Sequence, residues 1–142
     1  MESNWKFNHV GVVVRDLDKA VEYYQSLGLV DRVSTPMTAE GKKAKLIGKF
    51  VRIGELNLEI WQPIRGETVQ QEFLDSRGEG LNHICFIVDD IDKERAKLVE
   101  KGIPVIWSIQ GRVAYFDTRK VGNVLLELRQ PPPDREIIKW LQ

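Results

Sequence analysis

The sequence predicts an α+β fold of two tandem βαβββ modules, and three observations carry that expectation. Residues 8–19, NHVGVVVRDLDK, return as residues 82–93, NHICFIVDDIDK. A second pair closes each copy, LEIWQP at 58–63 against LELRQP at 126–131. Within each copy the apolar residues change from strand spacing to helical spacing and back. Self-similarity over so long a period marks a duplicated unit, not a chance match.

Each element follows from local chemistry. Val10 to Val14 is a β-branched, strand-sized run, and Ile84 to Val88 is its counterpart. Asp16 and Asp90 follow where a helix needs an acceptor for its unpaired first-turn N–H groups. Leu17, Val21, Tyr24 and Leu27 then recur at helical spacing, as do Ile91, Leu98 and Val99 in the second copy. Gly28 and Gly102 stand where a left-handed residue stops the helix. Strands are expected around Leu29–Val33, Lys45–Ile53 and Leu56–Trp61, then around Val105–Trp107, Arg112–Asp117 and Val124–Arg129. EFLDSR at 72–77 predicts a short helix between the copies. The tail opens on three prolines, and Ile137, Ile138, Trp140 and Leu141 predict a short docking helix or a dimer contact. A single domain over 1–142 is expected, with module one at about 6–63 and a linker at 64–79. Module two then spans about 80–131, and the tail is 132–142.

Composition narrows the function classes. Twenty-one basic and twenty-one acidic residues cancel, so no global field draws the chain to nucleic acid or to an anionic membrane. The longest apolar runs fall far short of a span. MESNWKFNHV carries no charged-then-apolar leader, so no secretion signal and a cytoplasmic location are expected. The one cysteine, Cys85, lies in an apolar run and reads as a buried core thiol.

The two histidines of the chain, His9 and His83, occupy the same position of the repeat. A twofold relation between the copies brings such residues to equivalent places around one centre. Glu59 and Glu127 are likewise in register, each flanked by apolar neighbours. A carboxylate buried there requires a positive partner. Two imidazoles and two carboxylates suit one divalent ion among Co, Mn, Ni, Zn and Fe, with room for water or substrate oxygens.

From about residue 6 to 131 these features resemble the vicinal oxygen chelate superfamily. It includes glyoxalase I, bleomycin-resistance proteins, extradiol dioxygenases and methylmalonyl-CoA epimerase. The resemblance implies that the modules form a cupped mixed sheet around a metal. Its ligands would come from the first and last strand of each module: His9, Glu59, His83 and Glu127. RGEGLNHICFIVDDID (77–92) is similar to the start of the second module in methylmalonyl-CoA epimerases, and TRKVGNVLLEL (118–128) to its closing motif. That likeness implies metal-assisted proton abstraction beside the carbonyl of an acyl thioester, with Glu127 as one base and Glu40 as a second. It also implies a homodimer.

Three other readings stand beside this one. A glyoxalase-I-like lyase would use the same four ligands. Val13 and Pro63, however, occupy positions where glutathione-binding forms carry Arg and Asn, which points to a non-glutathione substrate. A non-catalytic binding or resistance protein is expected to lack the full ligand set. A ring-cleaving dioxygenase uses two histidines and one glutamate, so Glu59 would obstruct O₂. Arg119 and Lys120 read as a solvated loop face or as contacts for an anionic substrate group.

Overall fold

The computed structural model describes residues 4–131, so the predicted tail helix and its dimer contact at 132–142 lie outside them. The α+β fold is present, with βαβ order at the start of each repeat. The chain forms two compact units. One runs from Val10 to Asn82; the other joins the described residues up to His9 to those from His83 onward.

The first unit holds the second half of β1 (Lys6–Val13), then α1 (Leu17–Ser26), β2 (Arg32–Val33) and β3 (Met37–Glu40). After these come β4 (Lys45–Ile53), β5 (Leu56–Arg65) and α2 (Val69–Arg77). Its strand order is β2-β4-β5-β1, with β3 also paired to β4. β1 lies parallel to β5 with Gly11 opposite Glu59, and β4 lies antiparallel to β5 with Phe50 opposite Glu59. Strand alternation then separates two faces. Leu58 and Ile60 of β5 join Val14, Leu17, Val21 and Val51 in a core, with Val10 and Val12 packed against it. Glu59 and Trp61 point to the opposite face.

The second unit repeats the plan with β6 (Gly80–Ile87), α3 (Ile91–Glu100), β7 (Val105–Ile109), β8 (Val113–Phe116) and β9 (Leu125–Arg129). Its order is β6-β9-β8-β7. Leu128, Phe116, Ala114, Val88 and Ile91 form the core under α3. His83, Cys85, Tyr115, Glu127 and Arg129 therefore occupy the other face. The opening residues of β1 belong here because Trp5 and Phe7 place their rings 5.7 and 6.0 Å from that of Phe86. The units thus divide inside β1 and near the start of β6.

The capping expectations are met twice over. Lys19 N–H donates to Asp16 Oδ1 and Lys93 N–H to Asp90 Oδ1, both at 3.1 Å. The glutamines of the repeat add a second cap. Gln62 Oε1 accepts from Leu17 N–H and Gln130 Oε1 from Ile91 N–H, both at 2.9 Å. Gly28 and Gly102 follow the helices at φ 72° and 82°.

Four details differ from the sequence expectation. Leu27 and Val99 are exposed, because each lies at or beyond the end of its helix stripe. β2 shortens to two residues, since Leu29 is exposed and Asp31 turns to accept from Gly54 N–H at 2.8 Å. β3 has no apolar alternation to reveal it and is defined by its pairing to β4. α2 starts earlier than predicted, at Val69, because Thr68 Oγ1 accepts from Gln71 N–H at 2.9 Å. None of the described helices is long and apolar enough to cross a membrane.

Asp90→Ala should lower unfolding free energy by about 1 kcal/mol, the usual worth of an N-cap, in a denaturant titration. Asp16→Ala should match it. A second prediction concerns Gly48, which pairs with Trp61 across β4 and β5. A Cβ at Gly48 would stand 2.6 Å from the Trp61 ring and 2.8 Å from the Ile60 carbonyl oxygen. Gly48→Ala should therefore cost about 1–3 kcal/mol, as overpacking does, and displace the indole, read as a change in near-ultraviolet circular dichroism.

Candidate metal centre

Four of the predicted site residues, His9, Glu59, His83 and Glu127, have no exposed surface. Residues of this chemistry are seldom so deeply buried without compensation. Each stands on a strand position that faces away from the helices, which is why the helix cores do not accommodate it.

In the second unit, three side chains converge. His9 Nε2 lies 3.2 Å from His83 Nε2. Glu127 Oε2 lies 3.1 Å from His83 Nε2 and 3.3 Å from His9 Nε2. Asn8 Oδ1 is 2.6 Å from His9 Nδ1. An amide oxygen only accepts, so His9 Nδ1 donates to Asn8 and Nε2 is the ring atom turned toward His83 and Glu127. Tyr115 packs edge-on against His83, with ring centroids 5.3 Å apart.

The triangle of His9 Nε2, His83 Nε2 and Glu127 Oε2 tests whether a metal would fit. Bonds of about 2.0–2.2 Å place adjacent donors of a tetrahedral or octahedral ion roughly 2.8–3.6 Å apart. The observed sides fall within that range. Two imidazole nitrogens and a carboxylate oxygen are also donors that a first-row divalent ion accepts. The residues present fit the group.

The other oxygen of Glu127 is engaged separately. Arg129 Nε donates to Oε1 at 2.5 Å. Burial acts to raise the Glu127 carboxyl, but the charge of Arg129, then His83, then the hydrogen bond with His9 outweigh it. The group is held well below the usual carboxylate range, ionised at neutral pH.

In the first unit Glu59 has a parallel arrangement. Trp61 Nε1–H donates to Glu59 Oε1 at 2.6 Å. Arg129 and Trp61 were not singled out by sequence reasoning. The signal was available, since each stands two residues after its glutamate in LELRQP and LEIWQP, hence on the same strand face.

Glu40 is placed differently from the other predicted residues. It pairs with Lys45 on β4, whereas Glu59 pairs with Phe50. Five residues of β4 separate those positions, about 16 Å at ~3.3 Å per residue. Its carboxylate is exposed and held by Arg65 Nη2 at 3.0 Å and Lys45 Nζ at 3.6 Å. The structure does not bring Glu40 to Glu59. The basic loop residue Arg119 is engaged by Asp117, with two contacts of 2.9 Å. Cys85 is fully buried, as expected of a core thiol.

Comparison with known proteins follows the same lines. The model of the Glyoxalase/Bleomycin resistance protein/Dioxygenase superfamily matches residues 8–122. An uncharacterized protein of Bacillus subtilis, YqjC, is 26% identical over 137 residues, covering 92% of this chain and 95% of its own. Human mitochondrial methylmalonyl-CoA epimerase is 29% identical over 133 residues, covering 88% of this chain and 73% of its own. The crystal structure of methylmalonyl-CoA epimerase from Mycobacterium tuberculosis shares the fold, with a TM-score of 0.76 at 22% identity. That match covers 94% of this chain and 93% of the other. The chain therefore belongs to the glyoxalase/bleomycin resistance protein/dioxygenase superfamily, the vicinal oxygen chelate proteins, with methylmalonyl-CoA epimerases among its relatives.

Proposed function

We propose that the protein is a metal-dependent enzyme that activates a carbonyl for proton abstraction, an acyl-CoA epimerase of the methylmalonyl-CoA type. The observation that carries this reading is the buried convergence of His9 Nε2, His83 Nε2 and Glu127 Oε2. His9, Glu59, His83 and Glu127 each offer one ligand atom. Glu59 is proposed as the fourth ligand because it shares the burial, repeat position and strand-borne hydrogen bond of Glu127. A divalent ion held by this set would polarise a substrate carbonyl and stabilise the negative charge that develops on its oxygen.

The protein's own residues supply the remainder. Asn8 fixes the His9 ring so that Nε2 is the atom presented. Glu127, ionised through Arg129, is the proton acceptor of the proposal. Two carboxylates and a dication leave the guanidinium of Arg129 as an excess positive charge. That balance favours an anionic substrate, such as an acyl thioester with its own carboxylate, over a neutral hemithioacetal. The relatives that act on acyl-CoA thioesters support the same choice. A homodimer is part of the proposal by likeness to the family.

The test combines metal analysis with isotope exchange. The purified protein should bind one divalent ion per chain, and His83→Ala should lose it. In deuterated water, the protein should exchange the α-hydrogen of methylmalonyl-CoA, and Glu127→Gln should slow exchange at least about 100-fold, the common worth of a positioned general base. Full exchange by a metal-free His9→Ala/His83→Ala protein would sink the reading. Retention of label without inversion, together with turnover of a hemithioacetal, would transfer it to a glyoxalase-type lyase.

Glu40 supplies a separate check. The hydrogen bond from Arg65, then the charge of Lys45, hold its carboxyl below the usual value of 4.5. A folded value below the unfolded one means that any stabilisation is present at neutral pH and lost as pH falls through the folded value. NMR titration should place the Glu40 midpoint below 4.5 and show it rising in Arg65→Leu. Glu40→Gln should leave α-hydrogen exchange within about threefold of wild type; a loss as large as that in Glu127→Gln would restore Glu40 to the proton path.

A further inference from the structure

The two buried glutamates share a device that the proposed reaction does not by itself require. Each has its Oε1 held by the side chain two residues later on the same strand. In β9 the donor is Arg129 Nε at 2.5 Å, and in β5 it is Trp61 Nε1 at 2.6 Å. Residues at i and i+2 of a strand share a face, so each clamp is built from the strand's own repeat and needs no third element.

Both donors are themselves fixed. The Trp61 ring lies over Gly48, where a Cβ would meet it at 2.6 Å. Trp61 is also buried, so its indole has little freedom to leave Glu59. Arg129 is held at backbone level, because its carbonyl accepts from Val88 N–H at 2.9 Å. The Trp61 carbonyl accepts from Val14 N–H at the same distance in the first unit.

We infer that Trp61 and Arg129 are positioning residues that hold Glu59 and Glu127 by Oε1, so that each carboxylate offers a metal one oxygen only. A carboxylate left to rotate would chelate through both oxygens and occupy an extra coordination position. Single-oxygen attachment keeps positions available for two substrate oxygens on a six-coordinate ion. The two clamps differ in charge, one cationic and one neutral. The pair therefore separates orientation from electrostatics, because loss of a nearby cation would by itself favour a dication.

This inference rests on reading Glu59 and Glu127 as metal ligands, and the experiment distinguishes the two. Cobalt(II) is titrated into metal-stripped wild type, Trp61→Phe, Arg129→Leu and Arg129→Gln, and affinity and visible absorption are measured. Loss of either clamp should weaken cobalt binding about 10- to 100-fold, the usual effect of removing a hydrogen-bond partner of a ligand, and change the d–d spectrum. Arg129→Gln keeps an N–H donor without the charge and should recover most of the affinity. Unchanged affinity and spectrum in Trp61→Phe and Arg129→Leu would overturn the clamp, as would tighter binding in Arg129→Leu. If Trp61→Phe does not fold, the partly exposed Arg129 decides the matter through its two variants. Absence of cobalt binding by wild type would overturn the ligand reading itself.

Discussion

The structure depends on one constraint: imidazoles and carboxylates are fully buried on a sheet face while the alternate residues of the same strands form the helix cores. In β9, Leu126 and Leu128 pack toward α3, and Glu127 and Arg129 alternate with them. In β5, Leu58 and Ile60 pack toward α1, and Glu59 and Trp61 face away. A slip of one residue would put the glutamates into the apolar core and the leucines onto the site face. The helix cores therefore fix the register of the site. Conversely, an unpartnered buried carboxylate would cost several kcal/mol, so the donors around each glutamate are a condition of folding as well as of function.

That condition explains why the repeat is stricter at its ends than in its middle. Each closing segment performs four tasks within four residues. Its glutamate enters the site face, and the residue two later clamps that glutamate. The same later residue accepts from the amide after the first strand, and the glutamine beyond it caps the helix. Changes at these positions disturb several elements together. The connecting strands carry no such load, and there the two copies diverge in length and in edge structure. The second copy has no counterpart of β3 among the described residues.

How legible the molecule was in its sequence follows from the same division. Strands and helices with apolar periodicity were readable, as were Asp16, Asp90, Gly28 and Gly102, because each acts through local chemistry. β3 was not, since MTAE is mostly exposed and exists by pairing with its neighbour. The unit boundary inside β1 was not legible either. It depends on where Trp5 and Phe7 find an aromatic partner, which is a long-range fact. The burial of His9 and His83 was legible through register and scarcity, and that of Glu59 and Glu127 through register and resemblance. Glu40 came from likeness alone, without a repeat partner to anchor it, and it stands with Arg65 at the far end of β4 from the Glu59 position.

Duplication does not make the two halves chemically equal. The indole of Trp61 orients Glu59 without neutralising it, whereas the guanidinium of Arg129 both orients Glu127 and balances its charge. Two carboxylates with identical partners would be chemically equivalent. Different partners break that equivalence. Glu127 remains ionised at neutral pH despite complete burial, because Arg129 and the two histidines outweigh desolvation. The charge of the donor at Oε1 is thus what distinguishes the two glutamates, and it follows from the Trp-to-Arg difference between LEIWQP and LELRQP.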